Sequence, residues 1–334
     1  MTCINERFLF EELESSMITP VPADVSPDKN TVPFRSPYHL TDEQVHFFDE
    51  YGYLILRNWI PHELLVRLQD AGKNWIEQGL HASTDDPNYE DYVFAQRSVG
   101  RVMFRVNYLH NKGQSAALEL LGSPAVLAVA ESLCGINLVP TYESMVFKQE
   151  GDGEAIIWHQ DAVHPRKHRI FNYDLYLDRS TKEGGALKVI PKSQHQKQDF
   201  CKIEQEYGWD HPEAIVVEME PGDVLLHDVM VGHGSERVEG KSLRRTIYYE
   251  FRSVEEILED GPWDQDWIER RLRLIPVALK RYTQAFPHAE QFYWNVQTQY
   301  RPSVGTNEEE ELKIAHVVHM SSAFCSAGDA GKKS

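Results

Sequence analysis

Between Thr141 and Phe251 the chain is a succession of short β-type runs, each closed by glycine, proline or aspartate. The runs are Tyr142–Lys148, Ala155–Asp161, Phe171–Leu177, Ala186–Ile190, Ile215–Met219, Val224–His227 and Thr246–Phe251. Strands this short cannot bury an apolar face alone, and turn residues at both ends fold them back on one another. The segment must therefore close as a sandwich or barrel. Helical patterns flank it. Thr41-Asp42-Glu43-Gln44 reads as an N-cap with a capping-box glutamine; Val45 and Phe48 share a face, and the helix stops near Gly52. Tyr53–Leu56 is a short strand. Pro61 opens a second helix with Leu64, Leu68 and Trp75 at helical spacing and Gly79 as its stop. Pro124–Leu133 is a third, ending at Gly135. Beyond Ser253 the stretch Trp263–Arg281 is amphipathic with a kink at Pro276. Prolines 20, 22, 27, 33 and 37 mark a loose arm. The expected organisation is an arm over 1–37, a domain over 38–252, and a helical extension with a frayed tail over 253–334.

Composition narrows the function. Lys and Arg number 34 against 52 Asp and Glu, a net charge of −18. Nucleic acid or an anionic membrane as main partner would need the opposite balance. The longest apolar run, around Ala125–Ala130, is far too short to span a bilayer. Cys3, Cys134, Cys201 and Cys325 stand far apart, with no disulfide framework and no zinc knuckle; free thiols fit a cytoplasmic protein. Gly151-Asp152-Gly153 lacks the rest of a dinucleotide fingerprint and reads as a turn. Nucleophile-elbow, phosphate-loop and His-Glu-x-x-His patterns are absent.

The chemistry concentrates in Trp158-His159-Gln160-Asp161. On a strand, His159 and Asp161 point to one face, so an imidazole and a carboxylate can grip one metal ion. His233, in Val-Gly-His-Gly-Ser-Glu after the turn Pro221-Gly222-Asp223, offers a third ligand, with His227 as a rival. Two histidines and one carboxylate on a small β-barrel form the facial triad of non-haem Fe(II), which leaves positions open. Downstream, Arg244 shares a strand face with Thr246 and Tyr248, and Arg245 shares the other with Ile247, Tyr249 and Phe251. An inward arginine offers a bidentate fork for a carboxylate. Asn172 and Asp174, alternating with Phe171, Tyr173 and Leu175, are expected to face a wet pocket. The basic run His164–Arg169 raises the expectation of an anionic substrate.

Six ordered segments carry a resemblance. They are Leu40–Gln44 with Phe48, Gly52 and Tyr53; Ser144–Lys148; Trp158–Asp161; Gly184–Pro191; Pro221–Asp223; and His233–Ser235 with Arg244. Through them the chain resembles the phytanoyl-CoA dioxygenase family of Fe(II)/2-oxoglutarate oxygenases over about residues 38–252. The resemblance implies a mainly β fold with flanking helices around a double-stranded β-helix (jelly-roll, cupin-like) core. It implies that His159, Asp161 and His233 hold Fe(II). Arg244, eleven residues after His233, would bind the distal carboxylate of 2-oxoglutarate with help from Ser235. Met145, Asp174 and Arg105 match positions that line the co-substrate pocket in relatives. The family's Pro-Gly-Ser-His is replaced by Pro191-Lys192-Ser193-Gln194-His195, where His195 would serve one place later. The implied reaction is hydroxylation or related oxidation of a small-molecule metabolite with O2, releasing succinate and CO2. Halogenating relatives have Gly or Ala where Asp161 stands. Two alternatives are a cupin-type metal enzyme without 2-oxoglutarate, which gives Arg244 no role, and a catalytically silent binding protein, against which the intact triad argues.

Overall fold

The structure, a computed structural model, describes residues 36–97, 100–148, 154–237, 243–261, 263–313 and 325–326. The arm before Ser36, the Gly151–Gly153 turn and most of the tail lie outside these residues.

The chain enters through α1 (Asp42–Tyr51). The Thr41 hydroxyl accepts from the Gln44 amide at 3.2 Å, and Gln44 Oε1 accepts from the Thr41 amide at 2.9 Å, closing the capping box. Gly52 ends the helix with φ 79°, the left-handed region that glycine enters without penalty. Strand β1 (Tyr53–Leu56) leads to α2 (His62–His81). This helix runs past Gly79, the stop expected from sequence. A Cβ there would lie 2.4 Å from the Tyr92 ring and 2.5 Å from Met103 Sδ, so the glycine permits close packing. Those two residues belong to β2 (Tyr92–Arg97) and β3 (Gly100–Asn107), a hairpin that the sequence pattern does not announce. Two helices follow, α3 (Ala116–Leu121) and α4 (Pro124–Cys134).

The β region comprises β4 (Leu138–Lys148), β5 (Ile156–Gln160), β6 (Phe171–Tyr176) and β7 (Leu187–Ile190). After α5 (Phe200–Tyr207) come β8 (Ile215–Val217), β9 (Val224–Asp228), β10 (Gly232–Ser235) and β11 (Arg244–Ser253). They form two antiparallel sheets. The large one has the order β1-β9-β6-β11-β4-β3-β2, and the small one contains β5-β10-β7-β8. The fold is the double-stranded β-helix expected, with helices against the outer face of the large sheet. One core lies between that face and the helices. A smaller one, with Tyr53, Ile55, Tyr176, Leu187, Val189 and Leu225, lies between the sheets.

Three helices follow β11, α6 (Val254–Asp260), α7 (Gln265–Leu272) and α8 (Leu274–Ala285), with a one-turn helix, Glu308–Glu311, further on. The break expected at Pro276 falls at Arg273 instead. Pro276 sits in the first turn of α8, where its missing N–H has no intrahelical acceptor to lose. Trp267, Ile268, Leu272 and Ile275 join the same core as the sheet. No helix among the described residues is long and apolar enough to cross a membrane.

A buried ion network ties α7 to β4. Arg271 donates from Nη2 to Glu143 Oε2 at 2.6 Å and from Nε to the Pro140 carbonyl at 2.7 Å, while His110 bonds Glu143 Oε1. Burial would raise the Glu143 carboxyl, but His110 and Arg271 outweigh it and hold it at about 2, against an ordinary 4.5. A carboxyl depressed by folding contributes stability that is present above its unfolded value and lost as pH falls through its folded value. The loss from Glu143 therefore falls between pH 4.5 and about 2. Thermal unfolding of Glu143→Gln should show a flatter pH dependence than wild type in that window. Arg271→Ala, which strands a buried carboxylate, is expected to cost about 3–5 kcal/mol near neutral pH.

Candidate metal centre and its cavity

His159 lies on β5 and His233 on β10, directly opposite one another in the ladder between these strands. Their rings therefore stand side by side on one face, with centroids 4.2 Å apart. Gly234 lets the strands approach: a Cβ there would lie 2.8 Å from the Ile156 carbonyl. Asp161 follows β5 immediately, its amide donating to the Val229 carbonyl at 2.8 Å. Its Oδ1 lies 3.4 Å from His159 Nε2 and 3.8 Å from His233 Nε2. One ligand atom from each of the three residues falls within 4.8 Å of the others.

The two imidazoles are oriented from behind. His159 Nδ1 lies 2.8 Å from the Ile157 carbonyl and His233 Nδ1 lies 2.9 Å from the Val231 carbonyl. A carbonyl only accepts, so each Nδ1 carries a proton and each Nε2 is turned to the centre. Burial, and His159 beside it, keep His233 neutral, lowered to about 3. Enclosure would raise the Asp161 carboxyl, but His233, His159 and His227 hold it well below the usual carboxylate range. This donor set, two imidazole nitrogens and one carboxylate oxygen, fits Fe(II).

The rival, His227, is fully buried on β9. Its Nε2 lies 3.1 Å from Asp161 Oδ2 and its Nδ1 lies 2.8 Å from Asp174 Oδ2. Burial alone would lower its pKa, yet Asp174 and Asp161 raise it to about 10. Both nitrogens of this ring already face carboxylates, and it stands outside the three-residue group. Asn172, opposite His227 in the ladder, donates from Nδ2 to the same Asp161 Oδ2 at 2.8 Å. Asp174 is thus deeply buried behind the centre, and its Oδ1 has no partner among the described residues.

Strand alternation sorts the remaining candidates. Arg244 pairs with Lys148, Thr246 with Val146 and Tyr176, and Tyr248 with Ser144 and Asp174, so these side chains share the face turned to the small sheet. Lys148 reaches across to that sheet, donating to Ser235 Oγ at 3.1 Å. It stands opposite Arg244 on that face, a neighbour that strand reading alone did not single out. Arg244 Nη1 contacts Ser180 Oγ at 3.2 Å and the Gly185 carbonyl. Arg245 faces the helices instead, with Nε and Nη2 each 2.8 Å from the Asp178 carboxylate and Nη1 on the Gln69 carbonyl at 2.6 Å. Arg105 pairs with Val146 and so shares the cavity face; it stands beside Tyr142, and its buried Nε lacks a partner among the described residues.

Two expectations need correction. Met145 does not line the cavity. As the strand neighbour of Ser144 and Val146 it points to the opposite face, where its sulfur would meet a Cβ at Gly72 of α2 at 3.1 Å. A one-residue step along a strand reverses the face. His195 is exposed, and the buried side chain beside it is Gln194, whose Nε2 donates to the Asp49 and Glu50 carbonyls at 3.2 Å. In the basic run His164–Arg169, the residues from Arg166 onward face acids elsewhere in the chain. Arg166 pairs with Asp228 at 2.8 Å and Arg169 holds Asp49 with two bonds of 2.6 and 2.8 Å. Lys167 lies 3.5 Å from Glu259 and Asp260, and His168 lies 3.3 Å from Glu259.

Comparison with known proteins agrees with this geometry. A family model described as "Phytanoyl-CoA dioxygenase (PhyH)" matches residues 48–246. A Caenorhabditis elegans protein named "Probable phytanoyl-CoA dioxygenase" is 26% identical over 226 residues, 60% of this chain and 72% of the relative. "Phytanoyl-CoA dioxygenase 1" of Oryza sativa subsp. japonica is 24% identical over 281 residues, 71% of this chain and 97% of the relative. The fold is shared with EctD from S. alaskensis, solved with 2-oxoglutarate and 5-hydroxyectoine. That match has a TM-score of 0.54 at 19% identity and covers 65% of this chain and 77% of that one. The matched span includes the histidine pair, the aspartate and the arginine strand, and the chain belongs to the phytanoyl-CoA dioxygenase family of non-haem Fe(II)- and 2-oxoglutarate-dependent dioxygenases.

Proposed function

We propose that this enzyme oxidises a C–H bond of a small-molecule metabolite, with hydroxylation as the simplest outcome. In this reading His159, Asp161 and His233 hold the iron, and Arg244, Ser235 and Lys148 receive the distal carboxylate of 2-oxoglutarate. The observation that carries it is the convergence of two imidazole Nε2 atoms and Asp161 Oδ1, with Arg244 on the sheet face behind them. The chemistry supplied at the bound metal is oxidative decarboxylation of 2-oxoglutarate to succinate and CO2, coupled to oxidation of the substrate.

The protein's own part is positional. The Ile157 and Val231 carbonyls hold the two ligand rings in one tautomer. Arg244 exchanges its contacts with Ser180 and Gly185 for a carboxylate that its planar fork matches. Asp161 supports oxygenation over halogenation, because the carboxylate fills the position a halide would need. Arg105, on the cavity face, stays in the proposal as a co-substrate residue, and an anionic group on the substrate stays part of it too, though the matched basic run lends that no support. Residues 38–252 are read as the catalytic unit, with the segment from 253 onward as its extension. The free thiols of Cys134 and Cys201 support a reducing compartment, and the cytoplasm is proposed.

The direct test is a metabolite screen for stimulated succinate formation by the iron-loaded enzyme. A stimulated, iron-dependent signal is expected, and product formation without 2-oxoglutarate would favour a cupin-type enzyme. Asp161→Ala is expected to remove most of that succinate signal. Losing one partner of a desolvated ion pair costs about 2–5 kcal/mol, so Arg244→Ala should weaken 2-oxoglutarate binding at least ~30-fold. Arg245→Ala should leave the co-substrate Kd nearly unchanged while lowering the unfolding midpoint, since Asp178 loses its bidentate partner. Calorimetric titration of both variants decides the order; the reverse order would mean that the strand register assigned to the co-substrate site is wrong.

A further inference from the structure

Asp161 has two carboxylate oxygens, and the structure treats them differently. Oδ1 faces His159 and His233 at 3.4 and 3.8 Å. Oδ2 is turned the other way, toward Asn172 Nδ2 at 2.8 Å and His227 Nε2 at 3.1 Å. The two nitrogens come from adjacent strands and lie 3.1 Å from one another, Asn172 opposite His227 in the ladder, so the sheet fixes their spacing. His227 is fixed in turn by Asp174 Oδ2, 2.8 Å from its Nδ1. Asp174 is completely buried and lies on the strand residue two beyond Asn172, hence on the same face. The series Asp174–His227–Asp161 thus begins in the core and ends at the triad.

We propose that His227, held by Asp174, is a positioning residue that acts with Asn172 to pin Asp161 Oδ2, so that Asp161 offers the metal one oxygen only. The inference rests on the triad reading above. A carboxylate free to rotate about χ2 can chelate through both oxygens. Chelation would occupy a second position on the metal, one of those a facial triad leaves open for co-substrate and oxygen. Carboxylates that ligate metals are commonly held by such hydrogen bonds, and losing one costs about 10–100-fold in metal affinity or activity. Here the holding groups are a histidine and an amide on the neighbouring sheet, and Asp174 prevents the imidazole from turning its Nε2 toward the metal instead.

The test uses Co(II) as the probe, added anaerobically to the metal-free full chain, with affinity and the visible ligand-field bands both recorded. His227→Ala is expected to bind Co(II) about 10–100-fold more weakly and to show altered bands, because the carboxylate changes its mode. His227→Gln, whose amide N–H can reach Oδ2, should recover most of the affinity and the wild-type bands. Asn172→Ala, at a second point of attachment to the same oxygen, should shift the bands in the same sense as His227→Ala. Thermal unfolding of each metal-free variant identifies any that fail to fold, and the remaining variants then carry the comparison. Wild-type affinity and bands in His227→Ala would overturn the proposal, leaving the ring as packing. Equal loss in His227→Gln and His227→Ala would overturn it differently, by making His227 itself a ligand. If His159→Ala and Asp161→Ala bound Co(II) as tightly as wild type, the triad reading would fall, and this inference with it.

Discussion

The long antiparallel ladder between β4 and β11 is the constraint on which the rest depends. It runs from Leu138 opposite Ser253 to Lys148 opposite Arg244, with one shift near Glu250. Because side chains alternate, this ribbon has two faces with separate duties. On one, Glu143, Met145, Phe147, Arg245, Ile247 and Tyr249 lie buried against the helices. On the other, Ser144, Val146, Lys148, Arg244, Thr246 and Tyr248 face the small sheet. Charges on the helix side are matched within the protein, as in Glu143–Arg271 and Arg245–Asp178. On the cavity side, Arg244 rests on a hydroxyl and a carbonyl, so a carboxylate can take it. A single register shift would exchange the two sets and destroy both.

The small sheet contributes the other half through a shorter device. Placing His159 and His233 opposite one another requires β5 and β10 to pair in one register, and Gly234 removes the side chain that would keep them apart. The large sheet then supplies Asn172 and His227 from the facing layer. The centre is therefore assembled across the sandwich, and each layer restrains a different part of it: the imidazole tautomers from one side, the carboxylate from the other.

Much of this is legible in the sequence because period-two alternation survives in short strands. His159 and Asp161, two apart, and Arg244 with Thr246 and Tyr248 need only that rule. The status of His227 is not legible in the same way. Its strand parity turns it inward like a ligand, and only Asp174, on a neighbouring strand and 53 residues away in sequence, engages its second nitrogen. Met145 shows the opposite failure: a role carried over from relatives arrived one residue out of phase, and on a strand that is the wrong face. The β2–β3 hairpin escapes because arginines interrupt its apolar pattern, in Arg97, Arg101 and Arg105, and its residues are mostly half-buried. Gly79 reads as a stop from sequence because a helix-ending glycine and one that admits a neighbour look alike until the neighbour is known.

The matched basic run has a consequence for how ligands arrive. Arg166, Lys167 and Arg169 spend their charge on Asp228, Glu259, Asp260 and Asp49. They therefore project little positive potential into solution, and the distant field is set by the net charge of −18. In the proposed reading a dianion such as 2-oxoglutarate approaches against that field and meets attraction at the cavity face, where Arg244, Lys148 and Arg105 stand. Long-range repulsion is then expected to slow the encounter, and added salt, by shortening the Debye length, to speed the approach where a basic funnel would have made it slower.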